Sequence, residues 1–244
     1  MRALGDFFGA LGFLTILPCP KRFASIDDYS RICGWFPIVG AVLGGILHLV
    51  ARFLFFAVLS PLAAAASVTV LWAILTRGLH LDGLADTFDG IGGGYDRESR
   101  LAIMKDSRLG TFGGIAIASV LLLKSSLLSG LGGHLQALWL APVTGRWSMI
   151  IAMRFFPPAR PGGMGDTFRA LCRGHQLILA SLAALWAVLL LGGLRGLPLL
   201  VIVPALVYLL SRWLCRMLGG LTGDSYGALC EITELATLVF FAAL

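Results

Sequence analysis

Charge is what this chain has least of. Only 13% of its 244 residues are Asp, Glu, Lys or Arg, against roughly 25% in a soluble domain. A water-facing surface needs more charge than that, so a soluble globular protein is excluded. Paired cysteines are missing too. Cys19, Cys33, Cys172, Cys215 and Cys230 form no CxxC pair and are odd in number, which argues against a disulfide framework or a zinc site. No basic run interleaved with aromatics accompanies the net charge of +6, so nucleic acid is not a predicted partner. Neither an internal repeat nor paired broken helices in matching halves is visible, which counts against a transporter or channel.

What is present is apolar. Hydrophobic residues make up 58% of the chain, and the mean hydropathy is +0.89. The pattern predicts an all-α fold: a polytopic membrane helix bundle of about seven spans, occupying residues 1–244 as a single integral membrane domain. The spans fall near Trp35–Phe56, Ala57–Leu75, Phe112–Leu131, Leu135–Met153, Gln176–Leu191, Leu197–Leu214 and Cys230–Leu244. Ala3–Leu17 is short of the ~20 residues a crossing needs. It is expected to lie in the interface or insert partly, and with Asp6 inside it and no small-residue cleavage site it is not read as a signal peptide.

Counting spans places four polar loops, 18–34, 77–111, 154–175 and 219–227, on one side of the bilayer. That side carries Lys21, Arg22, Arg31, Arg77, Arg97, Arg100, Lys105, Arg108, Arg154, Arg160, Arg169 and Arg173, while the other has little beyond Arg195 and Arg52. Basic residues mark the cytoplasmic side, so the loops are expected to converge at a cytoplasmic face.

Within this scarcity the acids are clustered. Six of the 13 acidic residues lie between Asp82 and Asp106. On a helix Asp82, Asp86 and Asp89 fall within an arc of about 60°, with His80 nearly opposite. Each Asp in the bilayer core costs ~2.5–3.5 kcal/mol on insertion scales, so such a face must meet water, a cavity or a cation. Oxygen ligands without Cys or paired His favour a hard ion, Mg²⁺ above Zn²⁺, and Mg²⁺ completes its shell with water and substrate phosphates. The bland alternative is a solvated loop whose acids balance nearby Arg and Lys. Downstream, "KDSRLGT" packs Lys105, Asp106, Ser107, Arg108 and Thr111 into seven residues, a composition suited to holding phosphate oxygens. Arg97 and Arg100 are better read as positive-inside anchors. Arg146 lies inside a span and is a functional candidate by default, with a structural pair the competing reading. Asp224 and Glu231 could reach the same site. Lys124 either snorkels or faces the bundle.

Three stretches carry a resemblance: "RGLHLDGLADTFDG" (Arg77–Gly90), "MKDSRLGTFG" (Met104–Gly113) and "GGLTGDSYGALCE" (Gly219–Glu231). Together with "FLTILPCP" and "FPIVGAVLGG" they closely resemble the cobalamin synthase family, the adenosylcobinamide-GDP ribazoletransferases. The resemblance spans nearly the whole chain. It implies a bacterial inner-membrane enzyme that joins adenosylcobinamide-GDP to α-ribazole, or its 5′-phosphate, with Mg²⁺ as cofactor and GMP as the leaving product late in vitamin B12 assembly. It leaves room for a homo-oligomer or for association with other corrinoid-pathway enzymes. On that reading Asp82, Asp86 and Asp89 hold metal. Lys105 and Arg108 stabilise charge, and His80 or an Asp takes the hydroxyl proton. Arg77, Asp106, Ser107, Thr111, Arg146, Asp224 and Glu231 contact substrate. The nearest alternatives, CDP-alcohol phosphotransferases and membrane prenyltransferases, fit less well. The first continues its Asp-Gly pair to Ala-Arg where this chain has Ala85-Asp86, and the second uses two Asp-rich motifs.

Overall fold

The computed structural model describes residues 2–20, 32–56, 60–131, 134–172 and 174–244. Lys21, Arg22, Arg31 and Arg173, and most of the 18–34 loop, lie outside them. The described residues are helical: α1 (Arg2–Leu14), a 3-10 turn Cys33–Trp35, α2 (Phe36–Phe56), α3 (Pro61–Leu75), α4 (Leu79–Gly93), α5 (Arg97–Ile103), α6 (Thr111–Gly130), α7 (Ala137–Phe155), α8 (Met164–Leu171), α9 (Gly174–Ala187), a π turn Val188–Gly192, α10 (Gly193–Gly196), α11 (Leu199–Leu218) and α12 (Gly223–Ala242).

Among the described residues, five stretches are long and apolar enough to cross a membrane: Cys33–Phe55, Thr111–Gly130, Gly174–Gly196, Leu199–Leu218 and Gly223–Ala242. Against the about seven spans expected from the sequence, five pass on length and composition alone, or six if α3 and α4 are counted together across their bend of 89°. Two expected spans differ for separate reasons. α3 has 15 residues, about 22 Å at 1.5 Å per residue, short of the ~30 Å hydrocarbon core. α7 is buried from Ala137 to Met153 at every position but Trp139. Its polar Thr144, Arg146 and Ser148 are tolerable because its neighbours, not lipid, surround it. The lipid-facing surface comes from other helices and is shown by Phe53, Leu122, Leu190, Val201 and Leu209, all more than half exposed. This is a multi-pass membrane protein.

α2 and α12 make the largest contacts with α7. On α2 a GxxxG pair makes the approach possible. A Cβ at Gly44 would lie 2.7 Å from the Leu138 carbonyl oxygen, and one at Gly40 would meet Pro142 backbone. Small residues at such spacing let membrane helices touch through their backbones.

The segment read as a polar loop, 77–111, is instead mostly helix. α3 stops at Thr76, and Arg77 (φ 55°) and Gly78 (φ 66°) follow in the left-handed region. Two successive left-handed residues turn the chain, and Gly78 takes that conformation without the Cβ penalty. α4 then leaves at 89° to α3. Asp96 begins α5 with a capping box, accepting from Ser99 N–H at 2.8 Å. The predicted 219–227 loop is likewise shorter than expected. Thr222 caps α12 by a second capping box, so Asp224 sits in the first turn of a helix.

Three of the four loops do come together. Pro158 bridges Leu221 in a parallel β-bridge. Arg97 donates to the Leu218 and Ala159 carbonyls at 3.0 and 2.7 Å, and Arg100 donates to the Met217 carbonyl at 3.2 Å. Both cations thus complement the carbonyl end of α11, where the helix dipole is negative.

Candidate active site where α4 meets α12

Two glycines bring the acids together. Gly83 on α4 lies against the Asp224 backbone, where a Cβ would come within 2.8 Å of its carbonyl oxygen. Gly227 on α12 faces the His80 carbonyl and the Gly83 Cα in the same way, at 3.1 and 3.3 Å. With no side chains between them the two backbones nearly touch. The helical face of Asp82 and Asp86 is therefore held beside Asp224.

Asp82 is exposed, and Asp86 and Asp224 are half-buried. Burial, followed by the charges of Asp224, Asp82 and Asp89, pushes the Asp86 carboxyl up to about 6. Among the described residues no Lys or Arg forms an ion pair with Asp82, Asp86 or Asp224, although Arg160 is near enough to Asp224 to act on its charge. Asp224 accepts one hydrogen bond, from Thr222 Oγ1 at 3.3 Å. Like charges gathered without an ion-pair partner repel one another, and a bound cation is the ordinary remedy.

Asp89 behaves differently from the other members of its motif. It is 7% exposed, and both of its oxygens are engaged. Oδ2 accepts from Gly110 N–H and Oδ1 from Gly113 N–H, each at 2.8 Å. It caps α6 from outside, supplying the negative charge that a helix start favours. Gly110 and Gly113 are required for this, because a Cβ at either would lie 2.3 Å from the carboxylate. Spacing alone grouped Asp89 with Asp82 and Asp86, but its packing gives it a structural task. Asp89→Ala is expected to lower stability by about 1–2 kcal/mol, the usual worth of a charged cap. Chemical or thermal unfolding in detergent would show it, and unchanged unfolding would remove this role.

The basic segment divides as well. Lys105 lines a cavity of about 340 Å³ with Arg160, Gly162, Gly163, Thr222 and Asp224. Arg108 faces a different cavity, of about 510 Å³, with Asp89, Asp106, Thr111 and Phe112. There Arg108 Nε bonds both Asp106 oxygens at 3.0 Å. Those bonds hold the Asp106 carboxyl down at about 2. The single clamp expected of "KDSRLGT" is thus two separate sites, with Ser107 exposed between them. Arg77 lines a third cavity, about 520 Å³, beside Asp82, Phe13, Leu79 and Ile117. Its guanidinium is committed to the Gly12 and Thr15 carbonyls at 3.1 and 2.9 Å. It ties the end of α1 to the α3–α4 turn.

Arg146, Glu231 and His80 face inward, away from the open site. Lys124 Nζ donates to Glu231 Oε2 at 2.8 Å and to Glu234 Oε2. Arg146 donates to Glu234 Oε1, and its other terminal nitrogen lies 3.3 Å from His80 Nδ1. Lys124 also sits 4.1 Å above the Trp72 ring. Every member of this group is at most 3% exposed. Substrate contact was expected of Arg146 and Glu231, yet each already has a charged partner in a closed, neutral set of two cations and two carboxylates. His80, expected as a base, is 1% exposed and directed at Arg146. The helical arithmetic that set it opposite the aspartates places it here.

Sequence reading missed two residues, Arg160 and Glu234. Arg160 precedes Pro161-Gly162-Gly163, and an arginine entering a glycine-rich turn was the available signal. Glu234 stands one turn after Glu231, and a second acid in an apolar helix needs a buried cation.

Crossing membrane helices with acids gathered at one junction beside a basic cavity suit a transferase acting on an anionic substrate. The comparisons agree. The family described as cobalamin-5-phosphate synthase matches residues 6–242. An adenosylcobinamide-GDP ribazoletransferase of Roseiflexus sp. (strain RS-1) is 46% identical over 234 residues, covering 94% of this chain and 86% of that protein. Another, from Herpetosiphon aurantiacus, is 44% identical over 241 residues, covering 96% and 95%. No solved structure matches. The chain belongs to the cobalamin-5-phosphate synthase family.

Proposed function

We propose that this chain joins adenosylcobinamide-GDP to α-ribazole, or its 5′-phosphate, and releases GMP. The observation that supports it best is the unpaired group of Asp82, Asp86 and Asp224 at the α4–α12 junction. A diphosphate ester brings negative charge of its own, so these acids need a cation shared with it.

The acids fit Mg²⁺. Among the described residues no three His, Cys, Asp or Glu side chains form a ready metal cage. Mg²⁺ does not need one, because it takes one or two carboxylates and fills the rest of its shell with water and phosphate oxygens. One or two of Asp82, Asp86 and Asp224 would hold it. Bound there, it would neutralise diphosphate charge and orient the phosphorus for in-line attack. Asp89, with both oxygens engaged, would support the site through α6.

The ribazole hydroxyl oxygen attacks the phosphorus attached to cobinamide. The bridging P–O bond breaks and its electron pair stays with GMP. With His80 turned inward, an aspartate of the group receives the hydroxyl proton as general base. Lys105 stabilises charge on the leaving phosphate. The basic residues crowding the convergent loops support a bacterial inner-membrane location with this face toward the cytoplasm.

The direct test is detergent-purified protein given adenosylcobinamide-GDP and α-ribazole, with and without Mg²⁺. GMP and cobalamin should appear together, and only with the metal. Accumulation of substrate in vesicles without conversion would replace this reading with transport.

A second outcome follows from Asp86. Its pKa lies above the ordinary carboxylate value, so keeping it ionised at neutral pH costs the folded state free energy. Removing the charge returns that energy. Without Mg²⁺, Asp86→Asn should gain about 1 kcal/mol of stability, after allowance for solvent screening at a half-exposed group, while losing activity. Thermal unfolding at pH 7 with chelator checks it, and a fall in midpoint would contradict it.

A further inference from the structure

Three cavities border the acidic junction, and they differ in what their cations are free to do. Arg77 is committed to two carbonyls and Arg108 to Asp106. In the cavity of about 340 Å³ the situation is different. The Lys105 backbone N–H donates to the Ala102 carbonyl at 3.1 Å, but its ammonium makes no hydrogen bond among the described residues. Arg160 spends one nitrogen on the Leu101 carbonyl at 3.3 Å and keeps the rest of its fork. Gly162, Gly163 and Gly165 form a wall without side chains. The wall is pinned from behind, where Ala159 N–H donates to the Leu221 carbonyl and Leu221 N–H to the Pro157 carbonyl, each at 2.8 Å. Asp224 belongs both to this cavity and to the acidic group, so the cavity opens onto the reacting centre.

Resting on the proposed reaction, we propose that this cavity is the seat of the leaving nucleotide, the guanosine monophosphate half of the activated substrate. The volume sits at the small end of the ~300–1,000 Å³ range of ligand sites, enough for a nucleotide and far too little for a corrinoid. The charge agrees too. As the bridging bond breaks, its electron pair goes to the nucleotide phosphate, and Lys105 and Arg160 meet that growing charge. The flat glycine wall leaves room for the base. Arg160 is assigned to hold the leaving phosphate, bidentate where Lys105 is a point charge.

The experiment is isothermal titration of the full-length protein in detergent with GMP and, separately, α-ribazole, together with GMP inhibition of turnover. Arg160→Gln should weaken GMP binding about tenfold or more and raise KM for adenosylcobinamide-GDP, leaving α-ribazole unaffected. Arg160→Lys should recover part of the loss. Gly163→Leu fills the same space by another route. A Cβ there meets nothing closer than the Arg160 carbonyl at 3.7 Å, so the fold accommodates it, and GMP binding should fall again. Unchanged GMP affinity in both Arg160→Gln and Gly163→Leu, or a loss confined to α-ribazole, would overturn the assignment. If wild-type protein binds GMP in this variant-sensitive way yet makes no cobalamin, the cavity stands and the proposed reaction fails.

Discussion

Asp82→Asn lowers turnover by about 10²- to 10³-fold, with protein level maintained and unfolding no easier. The magnitude is that of removing one preorganised electrostatic contact from a transition state. The second half of the expectation comes from the structure. Asp82 is exposed at the α4–α12 junction, and its carboxylate accepts no hydrogen bond among the described residues. Its amide isostere leaves packing untouched. Asp224→Asn should behave alike, because it stands in the same group from the opposite helix. The double variant should cost little more than either single one, as for residues acting as a unit. Steady-state GMP release with saturating Mg²⁺ measures this. Full activity in Asp82→Asn would remove the metal assignment.

Glu234→Leu should destabilise the protein by about 3–5 kcal/mol and sharply reduce its accumulation in membranes. Glu234 receives both Arg146 and Lys124, and all three are buried. Its loss leaves Arg146 with no carboxylate partner and gives the buried set an excess positive charge. Lys124→Met combined with Glu231→Gln is the informative control. It removes one cation and one anion, keeps Arg146 on Glu234, and should cost much less than Glu234→Leu. The ordering of the two thermal midpoints in detergent decides between charge balance and simple packing. Equal midpoints would mean that packing dominates.

Much of the membrane character was legible because it is a property of composition. An apolar run long enough to cross a bilayer reads the same in any context. The exceptions had physical causes. α7 is as apolar as a span at most positions, but its Arg146 and Thr144 are stabilised by α12, which local pattern cannot show. α4 looked like a loop because four glycines and three aspartates weaken any helical signal, and one of those glycines, Gly83, allows the close approach to α12. Within the site, i, i+4, i+7 spacing put Asp82, Asp86 and Asp89 on one face. It could not show that the far end of that face meets the start of α6. Two backbone N–H groups there bond Asp89, and Asp224 comes beside the same face from 135 residues away in sequence.

By itself the sequence determined a helical membrane protein, its concentration of acids after one apolar segment, and the motifs that carry its family. Those depend on residue type, order and period, which are local. Only the tertiary structure decided which acids share a site, which arginines are already committed to carbonyls, and that Lys124, Arg146, Glu231 and Glu234 neutralise one another. Charges in a low-dielectric interior interact across space without regard to chain distance. The partner that settles each charge is therefore chosen by packing.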